Sequence, residues 1–275
     1  MKKICIFLLL SYQLFICQNK RLIYEYKYVP DSTKKNTVKK EMMVLDLEKN
    51  QSIFYSQRKY ISDSTLLTDS KKGKLTMPPQ DLVFFYKIKK LKDSRIIYET
   101  SEFDIGKIAV EDDRIIKWNI SDEKSKILGY PVQKATSNIF GRNWIAWFTT
   151  ALPFSDGPYK FKGLPGLIVK ISDSGHNHIF ELVNIENIAA ETPYPDIDQQ
   201  KQKNLSLEAF RKYYRDYRND PASGMRQQYI QGKIPDQTDT GGNFSTGLEI
   251  VRRVEKLLKE RIKKDNNVIE LDMIK

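Results

Sequence analysis

The stretch from residue 144 to residue 180 constrains the fold of this chain more than any other stretch. Residues 144–149 alternate in the pattern of a strand that carries large aromatic side chains on both faces. Pro165 and Gly166 are typical of a type II turn, in which proline fixes φ at the second position and glycine supplies a positive φ at the third. Residues 167–171 then read as a second strand. The stretch therefore predicts a strand, an aromatic-lined loop, a tight turn and a strand, with the loop broken by Pro153, Gly157 and Pro158.

Short β-forming runs recur along the first two thirds of the chain, at spacings of roughly 8–12 residues. These runs lie at 22–29, 38–47, 52–58, 82–88, 95–100, 103–110, 115–120, 127–140, 144–149, 167–171 and 178–185. Residues 60–68 are ambiguous and compatible with a short helix. The pattern predicts a mainly β (α+β) fold, a large curved antiparallel sheet or half-barrel-like meander with C-terminal helices.

Helical patterns replace the strand patterns after residue 190. Ser206 is a candidate N-cap for a helix that Asp220-Pro221 would end, and residues 222–230 suit another short helix. Thr246 and Glu249 form the capping box of a last helix, whose apolar stripe consists of Val251, Val254, Leu258 and Ile262. We therefore expect a β-rich domain at 18–190 and a C-terminal helical extension at 191–275, packed on or beside the sheet.

The first seventeen residues have the pattern of a signal peptide. Two lysines directly after Met1 give the chain a positively charged start. The apolar run at 4–16 that follows is shorter than the roughly 20 residues of a membrane-spanning helix. Cleavage just before Gln18 or Asn19 predicts an exported protein, in the periplasm or secreted. A lipoprotein signal with Cys17 as the lipidated residue is the alternative, and bulky Ile16 argues against it.

Both cysteines, Cys5 and Cys17, lie in this leader, so the mature chain contains no disulfide, cysteine nucleophile or thiolate zinc site.

The formal net charge is +11. The basic residues are scattered and mostly read as solvated strand faces. Export makes nucleic acid an unsuitable partner, whereas the charge is compatible with peripheral contact with the outer membrane.

The sequence lacks the G-x-S-x-G, H-E-x-x-H, P-loop and G-x-G-x-x-G motifs, so it predicts no catalytic residues and no cofactor. His176 and His178 would point to one side of a strand, with Asp173 as a third ligand, but we interpret them as an exposed turn and predict no metal site. Asp156 precedes Gly157-Pro158 and favours an Asx-type turn over an acid role.

Four aromatic side chains around the central loop are candidates for the lining of a ligand cleft. They are Trp144, Phe154, Tyr159 and Phe161. The alternative, which we favour, is that they fill the core under a long loop.

The central stretch resembles the GLPGLI family of exported Bacteroidetes proteins. The motif residues that carry the resemblance are Trp147, Gly157, Pro158, Gly163, Leu164, Pro165, Gly166, Leu167 and Ile168. Asp173 and residues 266–271 also resemble family features, although the family more often has proline where Val268 stands. The resemblance implies a secreted or periplasmic protein, and it implies no activity because the family has no agreed function.

We expect a non-catalytic envelope protein that binds an apolar ligand or a protein partner. An accessory hydrolase or peptidase-type enzyme of the envelope and a structural partner of an outer-membrane machine are the alternatives. Residues 163–168 contain no nucleophile, base or metal ligand, so we expect them to have a structural role.

Overall fold

A computed structural model describes residues 19–79, 81–100, 106–188, 193–195, 197, 201–238 and 241–275. The expected signal peptide, with Cys5 and Cys17, lies outside the described residues. Twelve strands form one large sheet. They are β1 (Asn19–Tyr28), β2 (Lys39–Leu47), β3 (Gln51–Ser56), β4 (Tyr86–Leu91), β5 (Ile96–Thr100), β6 (Ile108–Asp112), β7 (Asn119–Ile127), β8 (Tyr130–Ile139), β9 (Arg142–Thr149), β10 (Leu167–Asp173), β11 (His178–Ile188) and β12 (Lys203–Ser206).

Two antiparallel meanders meet at β1. From β1 to β6 each strand pairs with the next, and from β7 to β11 a second meander returns from the opposite edge until β11 pairs with β1. β12 lies outside β6 and is parallel to it. The mainly β fold with a large sheet and C-terminal helices is thus confirmed, with one parallel pair that the strand pattern did not predict.

The sheet is strongly curved. Phe54 on β3 and Phe180 on β11 are separated by two intervening strands. Because neighbouring strands are about 4.8 Å apart, these two strands would be roughly 14 Å apart in a flat sheet. The two ring centroids nevertheless lie 6.0 Å apart. The rings therefore meet on the concave face, where the main hydrophobic core is also found.

Helices follow the capping signals closely. The first, α1 (Gln57–Lys71), is longer than the ambiguous pattern at 60–68 suggested and is capped by Ser56. The others are α2 (Leu207–Asn219), α3 (Ser223–Ile230), α4 (Gly247–Lys264) and a 3-10 turn (Leu271–Met273). The predicted N-cap Ser206 and the Thr246–Glu249 capping box are both confirmed. No helix in the described part of the chain combines the length and the hydropathy that a bilayer crossing requires.

Several predicted strand boundaries are wrong. Residues 57 and 58, expected in a strand, begin α1, and the predicted run at 127–140 includes the turn between β7 and β8. β4 begins at Tyr86, so residues 82–85 lie outside the sheet, and β7 begins at Asn119, so residues 115–118 do not form a strand. The chain at 113–118 instead crosses from one edge of the sheet to the other, and the Trp118 indole donates a hydrogen bond to the Lys162 carbonyl at 2.9 Å. The prediction for 103–110 lies partly outside the described residues.

The loop between β9 and β10 fills the concave face. Its Asp156 carboxylate accepts a hydrogen bond from the Ser52 hydroxyl at 2.5 Å and pairs with buried Lys90. The Lys90 ammonium also donates to the Gly157 carbonyl at 2.5 Å. The loop is therefore tied to β3 and β4 by polar contacts. The Tyr24 hydroxyl of β1 donates to the Ile168 carbonyl of β10, just beyond the loop, at 2.8 Å.

The turn before β10 differs from the predicted type II turn. The Gly166 amide donates to the Leu164 carbonyl at 2.8 Å, so the chain turns within three residues around Pro165. Gly163, and not Gly166, has a positive φ of +95°. Gly166 is required for a different reason, because a Cβ there would lie 2.1 Å from the carbonyl oxygen of Thr149. The structural role of the turn therefore depends on close backbone approach.

We predict that Gly166→Ala will destabilise the fold by about 3 kcal/mol or more, because backbone atoms cannot yield to the new methyl group. The matched control is Gly129→Ala, where φ is +82° but nothing lies within 4 Å of the added Cβ. The control should cost about 1 kcal/mol from backbone conformation alone. Urea denaturation measures both, and equal costs would contradict this account of the turn.

Candidate ligand-binding cleft

An open cleft of about 770 Å³ lies between the sheet and the C-terminal helices. This volume is within the range of about 300–1,000 Å³ that is usual for small-molecule sites. Nine aromatic side chains line it: Tyr26, Tyr28, Phe84, Tyr86, Tyr98, Tyr159, Phe210, Tyr214 and Tyr217.

The aromatic lining forms a continuous row across the cleft. Its ring centroids are separated by 5.3 Å between Tyr28 and Phe84, and by 5.9 Å between Phe84 and Tyr86. The row continues from Tyr86 to Tyr98 at 5.4 Å and from Tyr98 to Phe210 at 5.6 Å. Offset and edge-on contacts of this kind stabilise aromatic pairs beyond their buried area. The row therefore joins β1, β4, β5 and α2 into one apolar wall.

Strand periodicity explains the sheet side of this wall. Tyr24, Tyr26 and Tyr28 share one face of β1, as alternation along a strand requires. Tyr24 is fully buried and its hydroxyl binds the Ile168 carbonyl of β10, whereas Tyr26 and Tyr28 line the cleft. The Tyr26 ring also stacks on Phe180 at 4.1 Å. One face of β1 thus contributes to the core at one end and to the cleft at the other.

The apolar stripe of α4 forms the opposite wall. Leu257, Leu258 and Ile262 all line the cleft, and Leu257 is 59% exposed. An amphipathic helix normally buries such a stripe against a core. Here only Val251 and Gly247 of the helix are buried. The cleft therefore leaves a hydrophobic helix face open to an occupant.

A buried ionic cluster lies at the floor of the cleft. The Lys160 side chain, 4% exposed as a residue, pairs with Asp112 at 2.7 Å and with Glu270 at 2.6 Å. The Tyr159 hydroxyl donates to Glu270 at 2.5 Å. Arg114 binds Asp112 through two hydrogen bonds and also pairs with Glu270. Arg114 also pairs with Asp272, which Arg211 binds in turn, so three cations and three carboxylates neutralise one another.

The cluster holds the Asp112 and Glu270 carboxylates ionised. Burial alone would raise the pKa of Glu270, but the charges of Lys160 and Arg114 hold that pKa below its ordinary value. The pKa of Asp112 is likewise lowered, because Arg114 and Lys160 outweigh its burial. The cluster thereby links three parts of the chain: the end of β6, the central loop and the C-terminal segment.

A second polar cluster fixes the same C-terminal segment from the other side. The Arg142 guanidinium pairs with Asp173 at 3.0 Å and donates to the Asn267 side-chain oxygen at 2.7 Å. It also donates to the Val268 carbonyl at 2.6 Å. The Asn267 amide group donates to the Val29 carbonyl at 2.7 Å. Residues 267–269 are therefore bound to Arg142 of β9 and to Val29, the residue after β1, through their own side chains and backbone.

His178 belongs to this cluster, which corrects the expectation that the histidine pair forms an exposed turn. His176 is exposed, but His178 is 2% exposed. Its Nε2 lies 2.9 Å from the Asn267 carbonyl and must donate to it, so its Nδ1 accepts from the Tyr26 hydroxyl at 2.6 Å. Burial and the charge of Arg142 lower the pKa of His178 to about 3, which keeps the ring neutral.

The Asp173 carboxylate accepts a hydrogen bond from the His178 backbone amide at 2.8 Å and another from the Arg142 guanidinium. Within the described residues, no group of three or more histidine, cysteine, aspartate or glutamate side chains is placed to hold a metal ion.

The four aromatic candidates from the sequence have separate positions. Trp144 and Phe161 are fully buried in the core, with ring centroids 4.6 Å apart. Phe154 packs against the same core as a partly buried side chain. Only Tyr159 lines the cleft.

Of the motif residues, Leu164, Leu167 and Ile168 belong to the core. Gly157 packs so closely on Ile168 that a Cβ would lie 2.8 Å from it. Pro158 is buried, Gly163 and Pro165 are exposed, and Trp147 is partly buried.

Sequence reasoning missed most of the cleft. The alternation of Phe84, Tyr86 and Ile88 and the apolar stripe of α4 were visible as local patterns. Nothing in either pattern indicated that the two segments face one another across a cleft, because their proximity depends on the curvature of the sheet and on the anchoring of residues 267–270.

We predict that Glu270→Gln will lower the free energy of unfolding by about 3 kcal/mol or more at pH 7, because Lys160 and Arg114 would keep buried charge without its partner. The folded-state pKa of Glu270 is lowered, so its contribution is present above the unfolded value of about 4.3 and is lost as pH falls. Urea titrations at pH 7 and pH 4 should therefore show a smaller difference between wild type and variant at the lower pH. A difference that stays constant with pH would contradict the assignment.

Residues 140–170 match a family model described as a protein of unknown function (Porph_ging). This segment contains the end of the β8–β9 hairpin, β9, the central loop and the start of β10. No curated protein sequence matches the chain.

Two solved structures of PNGF-II, in space groups P21 and C2, are similar to this chain. Their TM-scores are 0.49 and 0.50, at 15% and 14% sequence identity respectively. Each match covers 71% of this chain and 32% of the PNGF-II chain, so this chain spans about a third of the length of PNGF-II. At this identity the C2 match indicates a related fold and nothing further.

Proposed function

We propose that this protein is a non-catalytic, exported cell-envelope protein that binds an apolar ligand in the aromatic cleft. The observation that carries the proposal is the cleft itself, about 770 Å³ in volume, with an aromatic row on one wall and an open helix stripe on the other. An open cleft of this volume with a mainly apolar lining is typical of a small-molecule site.

The energetics favour an apolar occupant. Each buried Å² of apolar surface contributes about 25 cal/mol, and a ligand in this cleft would remove the α4 stripe and the aromatic edges from water. Tyrosine adds hydroxyl groups to apolar rings, so a wall rich in tyrosine suits a ligand with some polar character. The anchored C-terminal segment keeps both walls in place before binding, which lowers the ordering cost of association.

The resemblance to the GLPGLI family supports export. The segment that matches the family model of unknown function contains the motif residues 157–168, so we propose that this chain is a GLPGLI-family protein of a Bacteroidetes envelope. In this proposal residues 1–17 are the leader, and the mature protein lies in the periplasm or is secreted, with peripheral contact with the outer membrane.

An accessory hydrolase is the weaker alternative. Asp156 is engaged by Ser52 and Lys90, and both ring nitrogens of His178 have structural partners. Lys160 and Glu270 line the cleft but pair with one another, so they offer a reactant no group poised to transfer a proton. For a structural partner of an outer-membrane machine, no specific contact surface among the described residues favours the assignment over ligand binding.

We predict that alkyl alcohols will bind in the cleft with an affinity that rises about fourfold per methylene, equivalent to about 0.8 kcal/mol, until the cleft is filled. Displacement of the neutral dye Nile red, measured by fluorescence, tests this series. Leu257→Glu should weaken binding about tenfold or more, because it puts a charge on the apolar wall.

Leu248→Glu is the matched control, since Leu248 is also exposed on α4 but does not line the cleft. Binding should be unchanged in this variant. Equal losses in both variants, or no dependence on chain length, would count against the cleft as the binding site.

We predict that the protein purified from a Bacteroidetes envelope fraction will begin at Gln18 or Asn19. Mass spectrometry of the intact protein measures this directly. A mass that includes lipid on Cys17 would replace the secreted assignment with the lipoprotein alternative, and a cytoplasmic protein that retains Met1 would overturn export.

A further inference from the structure

We infer that the ligand is a long-chain amphiphile with an anionic head group, which binds with its head at a basic mouth of the cleft and its chain along the aromatic row. The inference rests on the proposed function and specifies its ligand. It is carried by the distribution of charge along the cleft, by one accessible hydroxyl without a protein partner, and by the difference in burial between the two ends.

The mouth is defined by four basic side chains, Lys39, Arg218, Arg261 and Lys264, which all line the cleft. Asp265 interacts electrostatically with Lys39, Arg218 and Arg261, which shows that these groups lie near one another. Lys39 and Lys264 form no ion pair within the described part of the chain. Two cations are therefore available to a ligand.

Carboxylates at the same end do not cancel this charge. Lys34 adds a fifth basic side chain to the lining, and the acids that accompany the five are Asp31, Glu260 and Asp265. Asp81 also lines the cleft, but Arg58, outside it, binds both of its carboxylate oxygens at 2.8 Å. The mouth thus has a net charge of +2, which favours an anionic head group over a cationic one.

Tyr28 supplies the second, independent observation. Its side chain is 7% exposed and lines the cleft, yet its hydroxyl forms no hydrogen bond within the described residues. Tyr28 is also the direct cross-strand partner of Lys39 in the β1–β2 pair, so the two side chains leave the sheet side by side. The hydroxyl oxygen itself is not buried, so an occupant of the cleft can reach it. A head group at the mouth would accept a hydrogen bond from Tyr28 and an ion pair from Lys39.

The other end of the cleft offers no charge to a head group. It is lined by Val110, Phe210 and Met273, all buried, and by Tyr98. The ionic cluster at the floor is internally neutral, since Lys160 and Arg114 pair with Asp112 and Glu270, and Arg211 balances Asp272. Burial of an unpaired ligand charge there would be costly. The chain of the amphiphile therefore occupies this end and the head group stays at the mouth.

The test compares oleate with oleyl alcohol, which has the same chain and a neutral head, as competitors of Nile red below the concentration at which oleate forms micelles. Oleate should bind about three- to tenfold more tightly at low salt, and high salt should reduce this preference because the mouth is exposed. In the double variant Lys39→Gln/Lys264→Gln, oleate should lose most of that advantage while the alcohol binds as before. Tyr28→Phe should weaken oleate more than the alcohol.

Lys256→Gln is the matched control, because Lys256 is exposed on α4 and does not line the cleft. It should leave both ligands unchanged. If the alcohol binds as tightly as oleate, or if the double variant weakens both ligands equally, the anionic head is wrong although the cleft still binds apolar ligands. If neither ligand nor Nile red binds, the proposed function fails and this inference fails with it.

Discussion

The pairing of Lys160 with Asp112 and Glu270 is the interaction on which the rest of the structure depends. It joins a sheet strand, the loop that fills the concave face and the C-terminal segment within one buried contact. Charges are buried at this depth only where every partner is present, so the cluster specifies one arrangement of the three segments. Glu270 lies in the segment that directly follows α4. The same pairing therefore also fixes the position of α4, which forms the helix wall of the cleft.

The cleft results from two packing constraints that cannot both bring α4 onto the sheet: the loop on the concave face and the anchoring of the helix at its end. The central loop occupies the concave face as far as Tyr159, so the helices cannot approach the sheet there. α4 is anchored at its end by residues 266 and 267, which bind Asp31 and Val29. Its apolar stripe is therefore held at a distance from the sheet, and the space between them is an open, mainly apolar cleft. The candidate binding site thus lies where the helix does not pack onto the hydrophobic core.

Local features of this chain could be predicted from sequence, and long-range ones could not. Helix caps at Ser206 and Thr246 depend on residues three positions apart and were predicted correctly. The need for Gly166 was also foreseen, but the reason lies in Thr149, which contacts it across the β9–β10 pair. His178 was expected at the surface because its partner Asn267 is 89 residues away. No pattern within one segment reveals such a partner.

The meeting of the two meanders at β1 has a consequence for how the chain reaches its native state. β1 is paired on one side by β2, which follows it closely, but on the other by β11, with Asn19 opposite Ile188. Loop closure over so many residues makes folding slow compared with a simple meander. Until β11 has been synthesised and has docked, β1 presents an open strand edge, which is a site for pairing with other chains. A chaperone that covers this edge until β11 docks would therefore protect the chain from such pairing.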